Sequence, residues 1–147
     1  MPNATPTTDH DSDTGDTTAT ATLEHINVTV SDPERTAQML TDIFGWEIRW
    51  EGPSQMGGRS IHVGLPGTGE SYLAIYTFET DPGAPSNSYG TAGGLNHIAM
   101  MVDDLDATEA RIVAAGYETH THGDYEPGRR FYFHDHDNIE FEVVSYS

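Results

Sequence analysis

The 147-residue chain contains no cysteine and no lysine. Without cysteine there is no disulfide, no thiolate ligand and no cysteine nucleophile, so any bound metal must be held by imidazole and carboxylate groups. Positive charge is also scarce: six arginines stand against 24 acidic residues, for a formal net charge of −18. A domain so acidic repels nucleic acid and anionic membrane, and neither is expected as a partner. No run approaches the roughly 18 apolar residues of a membrane span, and the N-terminus has neither the basic region nor the apolar core of an export signal. The expectation is a soluble, cytoplasmic protein that acts on a small molecule.

The acidity has two readings. A carboxylate-rich surface stays hydrated in concentrated salt, where its self-repulsion is screened within a few ångströms, and the missing lysine with abundant Thr and Asp resembles proteins of extreme halophiles. Alternatively, the charge marks a cationic ligand. Residues 1–21 are mostly Thr, Asp, Ala and Pro around an isolated His10. That composition cannot bury enough apolar surface to offset ordering entropy, so a disordered acidic tail is expected there.

Beyond the tail the chain repeats itself. Thr22-Leu23-Glu24-His25-Ile26-Asn27-Val28-Thr29-Val30-Ser31-Asp32 is matched by Gly94-Leu95-Asn96-His97-Ile98-Ala99-Met100-Met101-Val102-Asp103-Asp104. Each copy enters an alternating, strand-like run through Leu-x-His-Ile and leaves it on Asp before a segment of helical period. In the first copy Asp32 is an N-cap candidate, Pro33 suits the first helical turn, and Ala37, Leu40, Ile43 and Phe44 form one apolar face. Gly45 ends that helix. Strands are expected over 46–50, 59–65 and 71–78, with a Pro- and Gly-rich linker over 80–93. The second copy predicts a strand at 95–102, a helix near 104–115, and strands at 117–121, 130–133 and 139–144, with a loop over 122–130. The fold class is therefore α+β: two tandem βαβββ units, unit one at 22–79 and unit two at 94–147, within one domain at 22–147.

This arrangement resembles the vicinal oxygen chelate superfamily, which includes glyoxalase I, extradiol dioxygenases, fosfomycin-resistance proteins, methylmalonyl-CoA epimerase and bleomycin-resistance proteins. The likeness rests on the duplicated Leu-x-His-Ile strand, the helix ending in Gly before an aromatic residue, and the segment Phe131-Tyr132-Phe133-His134-Asp135-His136-Asp137-Asn138-Ile139-Glu140-Phe141-Glu142. Family members usually carry Asp-Pro-Asp-Gly in that segment. Here His136 and Asn138 replace the Pro and Gly, and asparagine tolerates the left-handed conformation that the turn requires.

The resemblance implies that the units' sheets curl around a funnel and that a divalent metal lies between them, held by His25, His97 and Glu142. The fourth family position falls at about Ala74, which cannot ligate, so the set is the three-ligand kind of dioxygenases and fosfomycin-resistance proteins. Glu140 shares the parity of Glu142 and is the competing ligand. Two imidazoles and one carboxylate leave open positions for substrate oxygens, and the absence of sulfur favours Fe(II) or Mn(II), with Zn, Ni or Co also possible.

Tyr132, ten residues before Glu142, resembles the dioxygenase tyrosine that hydrogen-bonds a bound catecholate; a packed tyrosine is the alternative. His62 faces the funnel as an acid or base, or lines its sheet. His120, His122, His134 and His136 read as loop residues, with His122 the next candidate. Arg129 and Arg130 either meet an anionic substrate or neutralise nearby acids. Trp46, Trp50, Phe78, Met100 and Met101 are expected in the core or between units. The functional expectation is a metal-dependent enzyme, tilted towards extradiol ring cleavage and expected as a homodimer. The alternatives are a glyoxalase-like lyase or isomerase, a fosfomycin-type thiol transferase, and a metal-free drug-binding module.

Overall fold

A computed structural model of the chain describes residues 19–54, 57–67, 71–78, 89–126 and 128–147. Residues 1–18 of the expected tail and 80–88 of the expected linker lie outside the described residues. The elements run β1 (His25–Thr29), α1 (Pro33–Phe44), β2 (Glu47–Pro53), β3 (Arg59–Gly64), β4 (Tyr72–Thr77), β5 (Ile98–Met101), α2 (Leu105–Ala114), β6 (Thr119–Tyr125), β7 (Gly128–His134) and β8 (Glu140–Ser145). They form two four-stranded sheets of matching order, β1-β4-β3-β2 and β5-β8-β7-β6. In each, the first strand runs parallel to the last, and the other pairings are antiparallel. This is the duplicated α+β architecture that the repeat predicts.

Local chemistry fixes the helix ends. Asp32 caps α1 by accepting the Arg35 N–H at 3.2 Å, and Asp104 caps α2 by accepting the Ala107 N–H at 3.0 Å. Gly45 terminates α1 at φ 71°, a conformation that glycine adopts without a Cβ clash. Each helix covers one face of its own sheet. Alternation then assigns every strand residue: Phe131, Phe133, Phe141 and Val143 are fully buried beneath α2, while Arg130, Tyr132, Glu140 and Glu142 take the opposite face.

The halves meet through their helices and the 135–138 turn. Arg111 of α2 donates to the Ile43 carbonyl at 2.9 Å, Thr36 meets His136 at 3.2 Å, and Ser31 N–H reaches Asp137 at 3.1 Å. Phe44 packs 6.4 Å from both Phe133 and Phe141, which joins the apolar layers into one core. The turn itself is held by Asp135, whose carboxylate accepts the N–H groups of Asp137 and Ile139, each at 2.9 Å. Asn138 sits at φ 61°, the left-handed position that its residue type accommodates.

Two expectations are corrected. Residues 122–130 are no open loop: β6 runs to Tyr125 and β7 starts at Gly128, because pairing continues past a bulge between His120 and Gly123. Trp50, Phe78 and Met101 are exposed rather than packed, at 48%, 49% and 70%. The parity of β2 puts Trp50 on the open face beside His62, and Met101 lies on an edge strand. Met100 and Trp46 do join the core.

Candidate metal centre

The uncovered faces of the two sheets carry nearly all the chemistry, and strand register shows how it is distributed. In the second sheet one row reads His120, Tyr132, Glu142, Ala99 across β6, β7, β8 and β5. The corresponding row of the first sheet is Trp50, His62, Ala74, Asn27. Topology thus makes His62 the counterpart of Tyr132 and Ala74 the counterpart of Glu142. Of the two walls, only the second has a carboxylate at this position.

On the second wall, His97 Nε2 lies 3.0 Å from Glu142 Oε2. Two donors each about 2.1 Å from one ion and at right angles would stand about 3.0 Å apart, so this pair fits two adjacent positions of a divalent metal. The other oxygen of Glu142 accepts a hydrogen bond from Arg130 Nη1 at 2.8 Å, and both side chains are nearly buried, 10% and 13% exposed. Arg130 therefore compensates and orients the carboxylate while leaving Oε2 available. His97 Nδ1 is 2.7 Å from Asn96 Oδ1, an acceptor, and with the proton on Nδ1 the nitrogen available to a metal is Nε2. Tyr132 stands edge-on to His97, ring centres 5.9 Å apart. Burial first, then the charge of Glu142, pushes its phenol above the usual range and keeps it a hydrogen-bond donor.

The first wall holds His25 in the same manner. Its Nδ1 donates to Glu24 Oε1 at 3.0 Å, and Tyr72 OH donates to the same oxygen at 2.8 Å. Nε2 is again left free. His25 stacks on Tyr72 at 5.1 Å, Tyr72 on His62 at 4.7 Å, and Trp50 tilts over His62 at 4.8 Å, giving a continuous aromatic surface. Burial, and then the neighbouring His25, hold the His62 imidazole below its ordinary pKa, so it is a neutral acceptor at pH 7.

The chain brings together His97, Glu142 and Tyr132 on one wall, and His25 and His62 on the other. It does not bring the walls together: among the described residues no group of three His, Cys, Asp or Glu side chains could hold a metal ion. A cleft of about 600 Å³ between the halves touches His25, Ile26 and Met100 but neither His97 nor Glu142. It is apolar, so donor chemistry rather than volume marks the candidate centre. Sequence reasoning missed Asn96 and Glu24, although each is the variable residue of Leu-x-His-Ile and has a side-chain acceptor in both copies. Of the two open readings of the arginines, neutralisation is the one seen, since Arg129 pairs with Asp106 at 3.0 Å and Arg130 with Glu142.

Two matching βαβββ sheets with a histidine at the start of each parallel edge strand define a class of protein, and the chain's sequence agrees. It matches the Glyoxalase/Bleomycin resistance protein/Dioxygenase superfamily over residues 22–143 and belongs to that family. No curated protein sequence matches it. Among solved structures it is similar to a glyoxylase/bleomycin resistance protein/dioxygenase domain from Frankia sp. EAN1pec, with 24% identity, 86% of this chain and 98% of that chain covered, and a TM-score of 0.71. It is also similar to TnmS3, an antibiotic binding protein from Streptomyces sp. CB03234, with 22% identity, 88% and 99% coverage, and a TM-score of 0.65. A third similar structure is a mutant of the fosfomycin resistance protein FosX from Listeria monocytogenes complexed with Mn(II) and 1S,2S-dihydroxypropylphosphonic acid. There the identity is 25%, the coverage 84% and 91%, and the TM-score 0.64. No described helix is long and apolar enough to cross a membrane.

Proposed function

We propose that the chain is a cytoplasmic metal-dependent enzyme acting on adjacent oxygens of a small molecule, with its centre assembled between two copies of the chain. His97 and Glu142 of one copy hold the ion, and His25 of the second copy supplies the third donor. The observation that carries this reading is the pair His97 Nε2 and Glu142 Oε2, 3.0 Å apart, with the remaining atoms of both groups already fixed by Asn96 and Arg130. A free Nε2 on the first wall, fixed by Glu24 in the same way, supports His25 as the third ligand. The donor set favours Fe(II) or Mn(II), and Zn, Ni or Co also suit it. When bound, such an ion supplies Lewis acidity and positions for substrate oxygens.

The chain's own residues do the rest. Arg130 donates to Glu142 and holds it in place, and Tyr132 presents a phenolic O–H beside the ligand pair. In the assembled dimer, Trp50, His62 and Tyr72 of the second copy form the facing wall, where they exclude water and stack on a planar substrate, and neutral His62 accepts a proton. This supports ring cleavage of a catechol-like diol through Tyr132. A second reading, addition of a nucleophile to a fosfomycin-like substrate, is favoured by the Mn(II)-containing relative.

Mixing tests the shared centre. His25→Ala and Glu142→Ala proteins should each lose the metal, whereas a refolded equimolar mixture should regain about a quarter of the wild-type content, because half the dimers carry one intact centre. A mixture that regains none sinks the shared site. Oxygen uptake with catechols and thiol consumption with fosfomycin then separate the two reactions.

A further inference from the structure

Two further histidines stand on the second wall, and they form a site of their own. His120 of β6 and His134 at the end of β7 are diagonal neighbours on the open face. Their rings are nearly parallel, 17° apart with centres 5.0 Å apart, and His120 Nε2 lies 3.0 Å from His134 Nδ1. We propose that this pair binds a second divalent transition metal, independent of His25, His97 and Glu142.

Backbone geometry points the same way. Thr121, immediately after His120, lies at φ 55°, inside the bulge between His120 and Gly123. A β-branched residue in that region is strained by roughly 1–3 kcal/mol. Bulges re-aim side chains next to functional sites, and this one directly follows His120. Thr121 Oγ1 also lies 2.8 Å from His120 Nδ1. With the proton on Nδ1 the hydroxyl accepts it, and Nε2 is then the nitrogen available to a metal.

The nitrogens already have the spacing of adjacent ligands on one ion, as His97 and Glu142 do. Charge favours a cation as well. Glu140 is the strand partner of His134, while the nearby arginines are engaged elsewhere, Arg129 with Asp106 and Arg130 with Glu142. Two imidazoles without a carboxylate cage select the borderline ions Cu(II), Ni(II) and Zn(II) over Mg(II) or Ca(II), with water filling the remaining positions.

Titration calorimetry of metal-free full-length protein with Ni(II) in molar KCl tests the site. Relative to wild type, His120→Gln and His134→Gln should each lose one equivalent, and His97→Ala should lose a different one. Unchanged stoichiometry in both glutamine variants, folded by circular dichroism, overturns the proposal and leaves the His97 centre standing. Loss in those variants but not in His97→Ala overturns the His97 centre and leaves this one. A second measurement does not depend on how the glutamine variants fold. Cu(II) bound to His97→Ala protein should show hyperfine coupling to two imidazole nitrogens, and coupling to one or none overturns the proposal.

Discussion

Replacing Arg130 with methionine isolates the balance of charge at the candidate centre. The guanidinium donates to Glu142 at 2.8 Å where the two side chains are only 13% and 10% exposed. Removing one partner of a buried pair costs about 3–5 kcal/mol, because the other is left uncompensated. One feature lowers that figure: the methionine relieves Nε and Nη2 of Arg130, which are buried without acceptors. We therefore expect a loss of about 3 kcal/mol in metal-free protein, or roughly 9 °C in Tm at about 3 °C per kcal/mol for a chain of this size. Urea denaturation in molar KCl reads it directly. A divalent ion restores positive charge at Glu142, so Mn(II) at a hundred times its Kd should return about 2.7 kcal/mol. Arg130→Met/Glu142→Gln, which removes both charges, should recover most of the loss but gain nothing from Mn(II). A loss under about 1 kcal/mol, or equal Mn(II) stabilisation of the single and double variants, would refute the pairing and with it the ligand role of Glu142.

Other outcomes follow from single features. Asn138→Ala should cost about 1 kcal/mol by equilibrium unfolding, and Asn138→Gly should not, since only the alanine is strained at φ 61°. Phe133→Ala should cost about 3–5 kcal/mol, because its fully buried ring packs against Phe44 and Phe141 from opposite halves. Burial alone would raise the carboxyl of Glu109, but hydrogen bonds from Thr119 and His122 outweigh it and hold the pKa below 4.5. Its stabilising contribution is therefore present above pH 4.5 and lost as pH falls through the lowered value, and Glu109→Gln should flatten the acid limb of an unfolding profile. With a net charge of −18, Tm should rise steeply between dilute buffer and molar KCl as self-repulsion is screened; a salt-independent Tm would contradict the high-salt reading.

The sequence by itself determined the repeat and everything local to it. The Leu-x-His-Ile strands, the Asp32 cap, the Gly45 stop and the Asn138 turn were legible because each depends on a few adjacent residues. Alternation likewise assigned Glu142 to the uncovered face. Which groups meet across strands had no such signal. Arg130 on Glu142 and His120 beside Tyr132 and His134 follow from strand register and a bulge, and these are set by pairing between segments ten or more residues apart. The least legible feature was the placement of the candidate ligands. Leu-x-His-Ile puts a histidine at the same place in each half, but among the described residues the fold gathers no three His, Cys, Asp or Glu side chains that could hold a metal ion. Only tertiary structure could therefore show that His97 meets Glu142 within one chain while His25 joins no such group.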